Sequence, residues 1–310
     1  MIRVAFVGSF DPTFNRSRAL IKLTQQMSDT DVATWSSRVF SGDRLAIFRK
    51  RSLTAGIRIA FGLIKLFGVA FGVALRNPRA IFFITYPGYF DVPIVWAATR
   101  FRRSKIVYDP FISLYDTAVS DRQLVTPDSW LGQALLRVDQ LALRMSTHVI
   151  ADSPEHGQFY AELAGLSDTK ISVVWLGADE EIFSPAGPVD PDDRLSLFRQ
   201  VGLPNERMSE IIVLFYGTFV PLQGVTTIVE TAACLDGVAT FLLVGEGQSK
   251  VDAVDLARDR GIGNCFFLDR LAQGDLVKLM AVTDVTLGIF GVSEKAGRVI
   301  PNKVFEAMAC

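Results

Sequence analysis

The chain has 310 residues, 49% of them hydrophobic, with 32 Lys+Arg against 33 Asp+Glu and a formal net charge of −1. That length is too great for one comfortable core and suits two packed domains. Cys234, Cys265 and Cys310 lie far apart, which excludes a metal or redox spacing and reads as free buried thiols in a reducing compartment. The charge is uneven. Residues 1–105 carry 17 Lys+Arg and 5 Asp+Glu, a balance of +12, and the rest carry 15 and 28, a balance of −13. Such asymmetry points the first third toward an anionic surface or ligand.

Met1-Ile-Arg-Val-Ala-Phe-Val-Gly8 reads as a buried strand and its turn rather than a signal peptide, so a cytoplasmic protein is expected. Residues 8–18 follow as a loop with Gly8 at its start and Arg16 and Arg18 as candidate phosphate contacts or solvated side chains. Residues 53–75 are apolar and rich in Gly and Phe, interrupted by Arg58 and Lys65 and preceded by Arg49-Lys-Arg51. The uninterrupted apolar part is well short of the roughly 20 residues of a spanning helix. It reads as a buried helix of the first domain, or as a helix in a membrane interface with Phe61, Phe67 and Phe71 inserted.

Short apolar runs alternate with helical patterns, the signature of βαβ units and parallel sheets. Strands are expected at 3–7, 80–85, 105–108, 147–151 and 171–174, then at 211–216, 239–244, 264–268 and 284–289. Between the sets, 184–205 holds four prolines and Asp190-Pro-Asp-Asp193, a linker with a short helix near 194–201. The fold class is therefore α/β, with two doubly wound domains at 1–183 and 206–310 and a ligand crevice between them. Asp190-Pro-Asp192 superficially matches a metal-binding Asp-x-Asp motif, but it sits in a linker. His148 precedes a strand and His156 opens a helix, and neither is given a catalytic role. No internal repeat or low-complexity segment is visible.

The chain closes on Glu294-Lys-Ala-Gly-Arg-Val-Ile-Pro-Asn-Lys-Val-Phe-Glu306. It reads as a loop crowded with cations that turns at Pro301 into a helix opening near Asn302, a favoured cap. A helix start offers free N–H groups and a positive dipole end to an anion such as a diphosphate. Lys295, Arg298 and Lys303 would add formal charge there.

This tail resembles the donor-site segment of family-4 glycosyltransferases, retaining enzymes of the GT-B fold. Val173-Val-Trp-Leu-Gly-Ala-Asp-Glu-Glu-Ile-Phe-Ser-Pro185 is similar to the family's interdomain stretch, Phe215-Tyr-Gly-Thr-Phe-Val-Pro-Leu-Gln-Gly224 to a strand, glycine turn and second glycine, and Leu242-Leu-Val-Gly-Glu-Gly247 to the next strand and turn. The order and spacing of the four carry the resemblance. It implies a hexosyltransferase using a nucleotide-diphosphate sugar without a metal, acting on a glycan or lipid-linked acceptor in envelope or exopolysaccharide assembly. It also implies a second domain that continues past residue 310, so that the chain resembles a shortened member.

The resemblance assigns Gly217, Thr218, Gln223, Gly245, Glu246, Lys295, Asn302 and Glu306 to the donor, with Glu306 on the ribose hydroxyls. Arg298 and Lys303 would stabilise the departing diphosphate and Asp109 would orient the acceptor hydroxyl. The chain departs from the pattern at four places. Arg298 stands for the motif's first Glu, with Glu294 displaced by four residues. Thr218 and Gln223 stand where members carry Arg and Lys, and Tyr108 stands for His. Two other readings remain open at this point: a GT-B nucleotide-sugar epimerase and a non-catalytic nucleotide-sugar or glycan-binding scaffold.

Overall fold

The computed structural model describes residues 1–37, 53–122, 124–185, 187 and 189–310, and side chains from residue 60 onward in the second helix. Arg49, Lys50 and Arg51, and the Arg58 side chain, lie outside the described residues. The chain divides into two compact units, Met1–Trp175 and Leu176–Cys310.

In the first unit β1 (Ile2–Gly8), α1 (Asn15–Gln25), β2 (Thr30–Ser36), α2 (Leu53–Arg76), β3 (Ile81–Thr85), α3 (Asp91–Thr99), β4 (Lys105–Asp109), α4 (Trp130–Met145), β5 (His148–Ala151), α5 (Pro154–Ala164) and β6 (Ile171–Val173) follow in turn. The six strands form one sheet in the order β2-β1-β3-β4-β5-β6, with parallel pairing throughout. Successive strand residues face opposite sides, and the sequence feeds both. Ala5, Val7, Phe82, Ile84, Ile106 and Val149 join the core under α2, α3, α4 and α5, while Val4, Phe6, Phe83 and Ile150 pack with Leu20 of α1. Helix ends are set locally. Ser153 accepts from the His156 N–H at 3.0 Å with Pro154 in the first turn, and Gly165 ends α5 at φ 62°.

The second unit holds α6 (Pro191–Gln200), β7 (Ile211–Tyr216), α7 (Val225–Ala233), β8 (Ala239–Val244), α8 (Lys250–Asp259), β9 (Cys265–Leu268), α9 (Gln273–Val282), β10 (Val285–Thr286) and α10 (Asn302–Ala309). Its parallel sheet has the order β10-β7-β8-β9. Ile212, Leu214, Leu242 and Val244 face one core, and Val213, Phe215, Phe241 and Leu243 face the other, beneath α7 and α8.

Four expectations are refined by the structure. The thiols expected to be buried are not: Cys234 is exposed and Cys265 and Cys310 are half-buried. β2 escaped the sequence reading because Thr30–Ser36 is a half-buried edge strand of mixed residues, without the apolar run of its neighbours. β10 is shorter than the expected 284–289: the chain leaves β7 after Leu287, and Phe290 turns to give its N–H to the Gln223 carbonyl at 3.1 Å. The stretch 184–205, read as a linker with a short helix near 194–201, does carry that helix as α6, but Phe198 is fully buried in the second unit's core together with Leu203, so the stretch is part of that unit. Within it Asp190 caps α6, accepting from the Asp192 N–H at 2.8 Å. The Asp-Pro-Asp motif is thus a helix start.

Candidate functional site

In the second unit β8 and β9 follow on one side of β7, while β10 lies on the other. The β7/β10 boundary is a topological switch point, and open α/β sheets bind ligands beyond the strand ends at such points. The chain leaving β7 there is 217–224. Gly217, at φ +148°, and Gly245, at φ +141°, let two loops lie against each other, since a Cβ on Gly245 would strike the Gly217 carbonyl. The turn Pro221–Gln223 and Gly224, at φ +64°, then lead into α7.

α10 reaches this loop. Lys303 Nζ donates to Gln223 Oε1 at 2.6 Å and lies 3.9 Å from the Phe215 ring centroid, with only 6% of the residue exposed. A Cβ on Gly217 would sit 3.1 Å from the same ammonium. Burial pulls the Lys303 pKa down to about 7, with Glu306 opposing. One turn on, Glu306 Oε2 accepts the Tyr216 hydroxyl at 2.7 Å. Burial pushes the Glu306 carboxyl above its usual value, against the Tyr216 hydrogen bond and the Lys303 charge.

The structure therefore brings Gly217, Gln223, Gly245, Lys303 and Glu306 into one neighbourhood. Tyr216 and Phe215 belong to it and were not singled out from sequence, although their place directly before Gly217 was a usable signal. Asn302 is the first residue of α10 and the cap is Pro301, with no side-chain cap bond. The expected asparagine cap is corrected accordingly: Pro301 φ −70° and ψ 150° already sets the turn. Thr218 is exposed. Glu246 is drawn to Lys250, which donates to it at 2.6 Å, while its backbone carbonyl accepts from the Phe219 N–H at 2.9 Å. Lys295 is buried in the preceding loop, and Arg298 donates to Glu294 Oε2 at 3.5 Å.

In the first unit the switch point is β1/β3. Gly8 ends β1, and the next residue, Ser9, gives its N–H and hydroxyl to Asp91 at 2.7 and 2.8 Å. Burial raises the Asp91 pKa to about 6 despite these bonds. Arg16, expected on an open loop, lies in the first turn of α1 and is buried against Asp109. Its Nε and Nη2 hold both Asp109 oxygens at 3.0–3.2 Å, and its Nη1 donates to the Val174 carbonyl at 2.8 Å. Burial raises the Asp109 pKa and Arg16 opposes the shift. Arg18 is exposed and donates to Asn15 at 3.5 Å. Near them Asp152 hydrogen-bonds His156 Nδ1 at 2.6 Å, and the His156 ring stacks on Tyr160 at 4.4 Å.

No family model matches the sequence, and no curated protein is similar to it in sequence. Solved structures are similar in fold. Sucrose-phosphate synthase from Thermosynechococcus elongatus matches with a TM-score of 0.63 at 15% identity, covering 100% of this chain and 79% of that one. HepE from Anabaena in complex with UDP-glucose gives 0.62 at 17% identity, again over 100% and 79%. The catalytic domain of Starch Synthase IV from Arabidopsis thaliana, bound to ADP and acarbose, gives 0.59 at 13% identity over 92% and 77%. The parallel sheets of six and four strands and these likenesses together show that the chain has the GT-B glycosyltransferase fold.

Proposed function

We propose that this protein is a retaining glycosyltransferase that moves a hexose from a nucleotide-diphosphate sugar to a glycan or lipid-linked acceptor. Its setting would be envelope or exopolysaccharide assembly at the inner face of the plasma membrane. The observation that carries the reading is the ammonium of Lys303, held at the Gly217–Gln223 loop on the switch point of the second sheet. Similar structures contain UDP, UDP-glucose and ADP, which supports a nucleotide-sugar donor.

Transfer breaks the bond from the anomeric carbon to a phosphate oxygen, and the electron pair leaves with the diphosphate. In the front-face route that the family resemblance implies, the acceptor oxygen attacks the same face and its proton passes to the departing phosphate. Such a step needs preorganised positive potential more than a strong base. In this proposal Lys303 and the first amides of α10 supply it, with Lys295 and Arg298 adding to the local potential and no metal ion required. Glu306, oriented by Tyr216, accepts the ribose hydroxyls. Gly217 and Gly245 let backbone approach the phosphates, and Thr218, Gln223, Glu246 and Asn302 line the donor. Asp109 is committed to Arg16, so it acts through that pair as a positioning residue.

The test is transfer of radiolabelled sugar by native protein and by Glu306→Ala and Lys303→Ala, with product anomers read by NMR. Both variants should lose transfer; native rates in both would refute the site, and an inverted product would refute retention. A scaffold that binds donor without turnover is favoured by one observation, the uncharged and exposed Thr218 at the loop. Donor binding without transfer to any acceptor would select it.

A further inference from the structure

α2 buries one side and leaves the other bare. Leu66, Ala70 and Ala74, one turn apart, pack in the core with Val92, Val95 and Ala98 of α3. The opposite stripe of Phe61, Ile64, Phe67, Phe71 and Leu75 is exposed, Ile64 by 68% and Phe61 by 58%. Phe67 and Phe71 stack at 6.1 Å, and Lys65 Nζ stands 4.6 Å from the Phe61 ring centroid. Scattered surface hydrophobics need no explanation, but a contiguous row of five on one helix marks an interaction face.

Cations gather at the C-terminal end of this stripe, where Arg76 follows Leu75. The chain leaves α2 and α3 toward strands that pair at Ile81 and Lys105, with the Lys105 N–H on the Ala80 carbonyl at 3.1 Å. Exposed Arg76 and Arg79 thus lie at the same end of the sheet as exposed Arg100, Arg102, Arg103 and Lys105, where β3 and β4 begin. Phe101 projects among them, 76% exposed, with the Arg100 guanidinium 4.6 Å from its ring centroid. Between residues 53 and 108 the sequence has one carboxylate, Asp91. It is buried and committed to Ser9, so it offsets none of this charge at the surface.

The geometry points to an anionic lipid bilayer as the occupant of this face. Phe61, Ile64, Phe67, Phe71 and Phe101 would enter the boundary between headgroups and acyl chains, and the arginines would meet lipid phosphates. Among the described residues no helix is long and apolar enough to cross a membrane, and α2 is held to α3 along its buried side, so it would lie in the interface. A nucleic acid would match the cations and leave the phenylalanines in water. A second copy would cover the phenylalanines and set like charges against each other. Only an anionic bilayer answers both halves of the surface. The inference gives the proposed lipid-linked acceptor its membrane and rests on that reading for its purpose. The binding itself involves no residue of the donor site, so docking and transfer fail separately.

Flotation of the full chain with phosphatidylcholine vesicles, with and without phosphatidylglycerol, tests it at low and high salt. The protein should float with the anionic vesicles and be released by salt. Phe67→Ser/Phe71→Ser should weaken partitioning, and Arg100→Ala/Arg102→Ala/Arg103→Ala should weaken it roughly a hundredfold. Both variants should keep the native circular dichroism and UDP affinity. No flotation, or flotation of both variants as native, overturns the inference. A dimer dispersed by Phe67→Ser/Phe71→Ser, or DNA retention, without vesicle binding also overturns it and assigns the face to a second copy or to nucleic acid.

Discussion

Lys303 places its ammonium 2.6 Å from Gln223 Oε1, and Gln223 is the position at which the family resembled in sequence carries a lysine of its own. α10 thus sets an ammonium against the loop, about 80 residues later in the chain and adjacent in space. Lys303→Met tests whether that ammonium serves a ligand. Losing a charge-assisted hydrogen bond to a diphosphate should weaken UDP binding roughly 10- to 100-fold by calorimetry. Removing a buried ammonium should leave thermal stability unchanged or raised. A variant that loses stability and keeps UDP affinity would make Lys303 a structural residue.

The same lysine predicts a pH dependence. Its pKa in the folded chain is about 7, below the ordinary value of a lysine. Above pH 7 the free site therefore loses its cation, and UDP binding has to take up a proton. Affinity should fall as pH rises from 7 to 9, by up to about tenfold per unit while the bound lysine stays charged. Between 7 and the ordinary lysine value the unfolded chain holds more protons, so this residue makes stability rise with pH across that window. Lys303→Met should flatten both curves.

Asp91 has the opposite sign. Burial raises its pKa from 3.8 to about 6, so the folded chain holds the proton more tightly. Its contribution to stability is full below about pH 4 and is lost as pH rises through 6. Relative to Asp91→Asn, native protein should lose about 3 kcal/mol across that window. Denaturant unfolding of both proteins at several pH values measures it, and a constant difference between them would show that Asp91 does not titrate there.

Arg16 and Asp109 form a pair with side chains only 3% and 0% exposed. Arg16→Met alone strands a buried carboxylate and should cost about 3–5 kcal/mol. Arg16→Met/Asp109→Leu removes both charges and should cost much less. If the double variant recovers stability and still lacks transfer while UDP binds normally, the pair positions the acceptor side of the site. If transfer recovers as well, the pair is scaffold alone.

Phe198 shows why 184–205 is more than a tether. It is fully buried with Leu203, Ile212 and Leu279, and Phe198→Ala should destabilise the second unit by about 3–5 kcal/mol. Calorimetry of the full chain should show the loss in one unfolding transition if the two units unfold separately.

The sequence by itself determined the inner strands of both parallel sheets, because apolar runs such as 211–216 and 239–244 bury both of their faces and have few alternatives. It also determined the glycine turns after β7 and β8, since Gly217 and Gly245 occupy backbone conformations that side chains rarely adopt. Hydrophobic alternation carried less at the edges, which is why β2 was missed. What only the tertiary structure decided was pairing between distant polar residues. Sequence offers Arg16 as a loop cation and Asp109 to an acceptor hydroxyl, whereas the fold sets the two 3.0 Å apart. Lys303 and Gln223 looked like one cation and one lost cation until α10 met the loop. Composition and period report which residues are buried, whereas the partner of a buried charge depends on where the sheet brings remote strand ends together.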